Sequence, residues 1–227
     1  MDGREIVNVT QGLIELGTAC ISDALDRLGV EGACLGLVPM ARTFRLAGPA
    51  FTVRMLPRGM TDKSVGDYID DVPPGHVVVI DNQGRLDATV WGDILTSVAA
   101  GNGAGGTVID GVCRDSDRSI ELDYPLYALA ATMRTGKDRV CAEAYNEPVQ
   151  IRGIRVEPGD WLIGDADGIV AVPAALVGEV LRIGGSIARA EGDIRASLAA
   201  GERLDRARAA GGYHSLQTRA RSPEEGS

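Results

Sequence analysis

Two short apolar runs, Val77-Val78-Val79-Ile80 and Thr107-Val108-Ile109, flank one helix-length segment, and glycines punctuate the boundaries. Runs of this length, rich in β-branched side chains and bounded by turn residues, fit buried strands. The segment between them, residues 93–100, has the pattern of a helix that stops at Gly101 and Gly103. Strands that alternate with helices through the middle of a chain define the α/β class. The expected architecture is a single-domain layered sandwich with a mixed β-sheet core and a long C-terminal helix.

The remaining segments fit that frame. Residues 13–28 repeat apolar positions at helical spacing across a break at Gly17, which predicts two short helices. The second is expected to open at Ser22 or Asp23 as N-cap and to stop at Gly29. Residues 44–55 alternate like a strand entered through the Gly48-Pro49 turn. A short helix is expected over residues 62–69, a strand from His76, a short helix over 118–122 and a strand over 126–132. Residues 149–172 read as β-rich, with a tight turn at Asp165-Ala166-Asp167-Gly168. Residues 174–199 are expected to form one long amphipathic helix, or two. No linker divides the chain, so residues 1–211 are expected to form one domain and 212–227 a flexible tail.

Charge and composition exclude several functions. With 32 acidic and 23 basic residues the formal net charge is −9, which repels a polyphosphate, and no run of five Lys/Arg offsets it. Nucleic acid is therefore not an expected partner. No stretch of 18 apolar residues is present, so no membrane span is expected. Cys20, Cys34, Cys113 and Cys141 lie apart, without CxxC spacing. With the opening MDGREIVNVT lacking a leader pattern, the expected setting is cytoplasmic, with free thiols. His76 and His214 are the only histidines, too few for a His-rich zinc site.

The densest polar block is GDILTSVAAGNGAGGTVIDGVCRDSD, residues 92–117. Gly92 and Asp93 stand at a loop-to-helix junction, and Arg114 and Asp115 follow a buried strand. Ligands of α/β folds gather at the carboxyl ends of strands. A helix starting near Asp93 turns unpaired N–H groups toward an anion. Arg114 adds a planar two-pronged contact to that anion, and Asp115 is an oxygen ligand of the kind a hard divalent cation takes. Taken alone, an Arg-Asp pair after a strand is more often a surface ion pair or a turn than a metal site, and the glycines can be loop punctuation. Composition and spacing by themselves therefore favour a structural role for this block. The glycines of GNGAGG precede a strand and lack the Lys-Ser/Thr of a phosphate loop, so nucleotide binding is not indicated.

The same block resembles the class II 4-hydroxy-4-methyl-2-oxoglutarate/4-carboxy-4-hydroxy-2-oxoadipate aldolases, which share their fold with regulator of ribonuclease activity A proteins. The family signature is Asp, twenty residues, then Arg-Asp; here it is Asp93, residues 94–113, then Arg114-Asp115. LGTACISDALDRLG, RLAGPAFTV, DADGIVAVP and LAAGERL extend the likeness more weakly. The resemblance implies that Asp115 binds a divalent cation, Mg²⁺ or Mn²⁺, largely through its waters, and that Asp93 holds one of those waters. It implies that Arg114 clamps the carboxylate and C2 oxygen of a small 2-oxo acid, assisted by Gly92 and the N–H groups of Ile94 and Leu95. It further implies a Glu from a neighbouring subunit, Glu191 being the nearest match, in a homotrimer or homohexamer. The implied activity is retro-aldol cleavage of a 4-hydroxy-2-oxo acid to pyruvate, with oxaloacetate decarboxylation as a side activity.

Two other functions fit the same resemblance. One is a non-catalytic regulator that binds a ribonuclease or another protein; the other is a same-fold enzyme acting on a different 2-oxo acid. Residues 134–147 are the candidate loop for the group beyond C4. His76, Cys113, Asp165, Asp167 and Lys137 read as structural or solvated positions.

Overall fold

The computed structural model describes residues 3–59 and 65–210. The expected tail and His214 lie outside them, as do residues 62–64 of the helix expected over residues 62–69. Its described part is a single 3₁₀ turn, Asp67–Asp71.

The chain runs α1 (Gly3–Leu28), β1 (Val38–Pro39), β2 (Leu46–Pro57), β3 (Val77–Thr89), α2 (Asp93–Gly101), β4 (Gly106–Cys113), α3 (Ser116–Glu121) and β5 (Leu126–Ala131). It continues with β6 (Val140–Tyr145), β7 (Val149–Ile151), β8 (Ile154–Val156), β9 (Trp161–Asp165), β10 (Gly168–Val172), α4 (Val177–Ala199) and α5 (Leu204–Ala210). The main sheet has the order β1-β5-β4-β3-β2-β9-β10, with β6 also paired to β2. β2, β3, β4 and β5 are parallel neighbours, and β1, β6, β9 and β10 join antiparallel. The sheet is mixed, as the sequence predicts.

The central strand explains its composition. Val77, Val78, Val79 and Ile80 are all fully buried, because a strand inside a parallel sheet is covered on both faces and needs no polar alternation. Phe51, Val53, Ile109, Tyr127 and Trp91 share that core. A second core forms where α1 and α4 cross the β9–β10 end, around Leu13, Ile21, Leu25, Trp161, Val180 and Ile187.

Three local expectations are corrected. Gly48 and Pro49 lie within β2, not in a turn before it. There the strand changes neighbours, pairing β9 through Pro49 and β3 from Ala50, so a residue without an N–H is tolerated. Residues 134–147 are not all loop, since β6 takes 140–145. The N-terminal helix begins at Gly3, far before residue 13, and breaks only at Gly17 (φ 74°, ψ 166°).

The second half of α1 therefore opens at Thr18, not at Ser22 or Asp23, and its cap comes from β9. Asp165 Oδ2 accepts the Thr18 N–H at 2.8 Å, and Oδ1 accepts the Thr18 hydroxyl at 2.7 Å. Burial pushes the Asp165 carboxyl up, but the Thr18 and Asp167 N–H groups, the Thr18 hydroxyl and nearby Arg45 outweigh it, leaving the pKa lowered. Asp165→Ala is expected to cost about 1–2 kcal/mol in urea unfolding at pH 7. A carboxyl depressed in the folded state contributes stability above its unfolded pKa, roughly 3.9. The difference from the parent chain should thus shrink as pH falls below about 4. A difference unchanged down to pH 3 would remove the charge from the cap.

Candidate active site

Past Asp81, β3 leaves its neighbour and rejoins it only at Arg85 and Thr89, where Thr89 pairs with Val112 of β4. That detour delivers Val90, Trp91 and Gly92 beside the end of β4, and the Arg114 N–H donates to the Trp91 carbonyl at 3.0 Å. Trp91 Nε1 donates to Thr96 Oγ1 at 2.8 Å, and that hydroxyl donates to the Gly92 carbonyl at 2.9 Å. The turn into α2 is thereby fixed from below. Gly92 is the N-cap, and the first helical bond runs from the Thr96 N–H to its carbonyl. The N–H groups of Asp93, Ile94 and Leu95, the first three of α2, have no hydrogen-bond partner among the described residues.

Arg114 and Asp115 stand across this turn. Arg114 Nε donates to Asp115 Oδ2 at 3.1 Å, with the two side chains 37% and 44% exposed. The contact uses one edge of the guanidinium and leaves its other N–H groups for a second anion. Asp115 adopts φ 52°, ψ 37° ahead of the short α3, a left-handed conformation that Asp enters more readily than most residues.

A cleft of about 390 Å³ opens at this point. One side carries Thr89, Val90, Trp91, Gly92, Asp93 and Arg114, together with Thr135, Gly136 and Lys137. The facing side carries Val65, Gly66, Asp67, Ile69, Asp70, Leu95 and Val98. The structure thus brings Gly92, Asp93, Ile94, Leu95 and Arg114 into one cavity, with Asp115 paired to Arg114 at its edge. Glu191 is not among them. It accepts from Arg195 at 3.2 Å on α4 and lies near Cys20 of α1.

The wall at residues 65–70 and the floor at Trp91 were not read from the sequence, and Lys137, read as a solvated loop residue, reaches the cleft. Asp110 is structural: it accepts the Arg152 N–H at 3.0 Å and Nη1 at 3.4 Å, and so ties the β7–β8 hairpin to the sheet. Burial, with the Asp115 charge adding to it, pushes the Cys113 thiol up to about 11, which suits a packed thiol and not a nucleophile. Asp165 serves as a helix cap.

The donor set can be tested for a metal. No group of three or more His, Cys, Asp or Glu among the described residues is arranged to hold an ion, so a soft or fully protein-ligated metal has no cage. One exposed carboxylate, Asp115, with Asp93 next to the adjoining Gly92, fits a cation that keeps most of its waters, as Mg²⁺ does. Gly92 keeps this space open. A Cβ there would lie 3.0 Å from Asp115 Oδ2 and 3.3 Å from Arg114 Nε, while its φ of −156° is open to any residue. Gly92→Ala is expected to displace the Arg114–Asp115 pair and to lower kcat about 10²-fold, with Tm shifted by only a few degrees. Unchanged kcat would show that the pair's position is not critical.

The open start of α2 and the Arg114–Asp115 pair stand together at the carboxyl ends of the parallel strands of an RraA-like scaffold. The chain belongs to that family: residues 18–171 match the family described as RraA-like: Aldolase/RraA. A candidate 4-hydroxy-4-methyl-2-oxoglutarate aldolase of Halalkalibacterium halodurans is 32% identical over 80% of this chain and 84% of its own length. Protein DlpA of Legionella pneumophila is 38% identical over 88% of this chain, which spans only 33% of DlpA. Among solved structures, an uncharacterized protein from Pseudomonas syringae pv. tomato shares 40% identity at TM-score 0.80, covering 87% of this chain and 97% of that one. Streptomyces coelicolor RraAS2, described as an unusual member of the RNase ES inhibitor RraA family, shares 27% at TM-score 0.72, covering 80% and 90%. No helix among the described residues is long and apolar enough to cross a membrane.

Proposed function

We propose that this chain is a divalent-metal-dependent carbon–carbon lyase that cleaves a 4-hydroxy-2-oxo acid to pyruvate. The observation that carries this reading is the meeting of three elements at one end of a cleft. These are the free edge of Arg114, the open N–H groups at the start of α2 and the exposed carboxylate of Asp115.

In this reading the substrate carboxylate and C2 oxygen lie against Arg114 and the N–H groups of Ile94 and Leu95. Asp115 would hold Mg²⁺ or Mn²⁺, with Asp93 orienting a water beside it. Such an ion, when bound, supplies positive charge facing the C2 oxygen. A water held by Asp93 takes the proton of the C4 hydroxyl. The C3–C4 bond breaks, its electron pair remains on C3 and spreads to the C2 oxygen, and C4 departs as a carbonyl. Arg114 faces the charge that develops on C2 oxygen. A proton returned to C3 completes pyruvate.

Ile94 at 73% exposure and Met133 at 87%, at and near the cleft, support cover from a neighbouring copy in a trimer or hexamer, with Glu191 supplied across that contact. The four cysteines are unbridged, which supports a reducing, cytoplasmic setting.

The test is oxaloacetate decarboxylation, followed by coupling pyruvate to lactate dehydrogenase, with Mg²⁺ and with EDTA. The expected result is turnover above the free-metal background that EDTA abolishes. Turnover no faster than free Mg²⁺ would reject the lyase and leave a protein-binding regulator as the function to pursue.

A further inference from the structure

The two ends of the cleft differ in chemistry. Gly136 packs so closely on Thr89 that a Cβ would meet its carbonyl at 1.9 Å. The segment carrying Lys137 is thereby held along the strand end that leads to Gly92 and Arg114. Both cations of the described lining therefore belong to the anchoring side. The opposite wall is built by the 3₁₀ turn Asp67–Asp71 lying on α2, where Gly66 packs against Leu95 (a Cβ would stand 2.8 Å from Leu95 Cδ2). Its described lining is Val65, Ile69, Leu95 and Val98 together with the exposed carboxylates of Asp67 and Asp70, and no Lys or Arg stands among the described residues of that wall.

We infer that the substrate is a 4-hydroxy-2-oxo monocarboxylic acid, carrying a hydrogen or a short alkyl group on C4 where 4-hydroxy-4-methyl-2-oxoglutarate, the compound for which the relatives are named, has a second carboxylate. This rests on the lyase reading and specifies its substrate. With C1 carboxylate and C2 oxygen anchored at Arg114, the chain beyond C3 extends onto the Val65–Ile69–Leu95–Val98 wall. A methyl or ethyl group there removes apolar surface from water. A carboxylate there gives up hydration without a described cation to replace it and approaches the charge of Asp70. Cleavage of the monoacid balances as pyruvate plus an aldehyde: the C4 hydroxyl loses its proton, C4 becomes the aldehyde carbon, and C3 gains the proton.

The experiment compares kcat/KM for 4-hydroxy-2-oxopentanoate, 4-hydroxy-2-oxohexanoate and 4-hydroxy-4-methyl-2-oxoglutarate with the Mg²⁺-loaded full chain, following substrate loss by proton NMR. Deuterium exchange into the methyl group of pyruvate in D₂O is measured beside them. It reports the enolate-forming centre with no distal group involved. Monoacids cleaved at least about tenfold faster than the diacid support the inference, and Asp70→Asn should narrow the gap by raising cleavage of the diacid. Metal-dependent exchange with the diacid equal or preferred overturns the inference and leaves the lyase standing. Absence of both exchange and cleavage overturns the lyase reading and the inference with it.

Discussion

Arg114→Ala is expected to lower kcat for metal-dependent pyruvate release by about 10²–10³-fold, the range found when one donor to a developing oxyanion is removed. In the proposed reaction the guanidinium faces two charges of different history. The substrate carboxylate is charged throughout, so its contact affects binding and transition state alike. The charge on the C2 oxygen exists only as the C3–C4 bond opens, so its loss appears in kcat. The variant should therefore lose more in kcat than it gains in KM. Arg114→Lys should recover little, because an ammonium cannot hold Asp115 by one edge and the substrate by another. Stability should change by no more than about 1 kcal/mol, since the Arg114–Asp115 pair is more than a third exposed. Stopped-flow or coupled assays with circular dichroism on the same samples check both statements. A rise in KM with kcat unchanged would reduce Arg114 to a binding residue.

What the sequence made legible follows the range of the interactions involved. Asp93, Arg114 and Asp115 could be read because each lies at a chain-local event, the start of α2 or the end of β4, and neighbouring strands of a parallel sheet place those events together. The facing wall could not be read. Val65, Ile69 and Asp70 reach the cleft only because Gly66 packs on Leu95, and Lys137 only because Gly136 packs on Thr89. No periodicity marks such pairings.

The N-terminal helix shows the same limit. Gly17 marks the break in the sequence, but the nearby cap candidates for its second half, Ser22 and Asp23, do not serve as the cap. The carboxylate that serves is Asp165, 147 residues away. The turn containing Asp165 was recognisable from Asp-Ala-Asp-Gly; its partner was not.

Asp115→Asn provides the sharper test of the metal assignment, because it changes charge and little else. Asn occupies the same volume and enters the left-handed conformation as readily as Asp, so the φ of 52° at this position should persist and the backbone leading into α3 should not move. The amide retains one oxygen but brings no negative charge, and a hard cation that keeps most of its waters depends on that charge for its affinity. The concentration of Mg²⁺ giving half-maximal turnover should rise at least about 100-fold, beyond the roughly 10–100-fold typical of losing an outer-shell partner. Asp93→Asn should fall within that smaller range. Titration of Mn²⁺ followed by electron paramagnetic resonance separates binding from turnover in both variants. If Asp115→Asn binds Mn²⁺ like the parent chain while Asp93→Asn does not, the two carboxylates exchange roles, and the cation belongs at the start of α2.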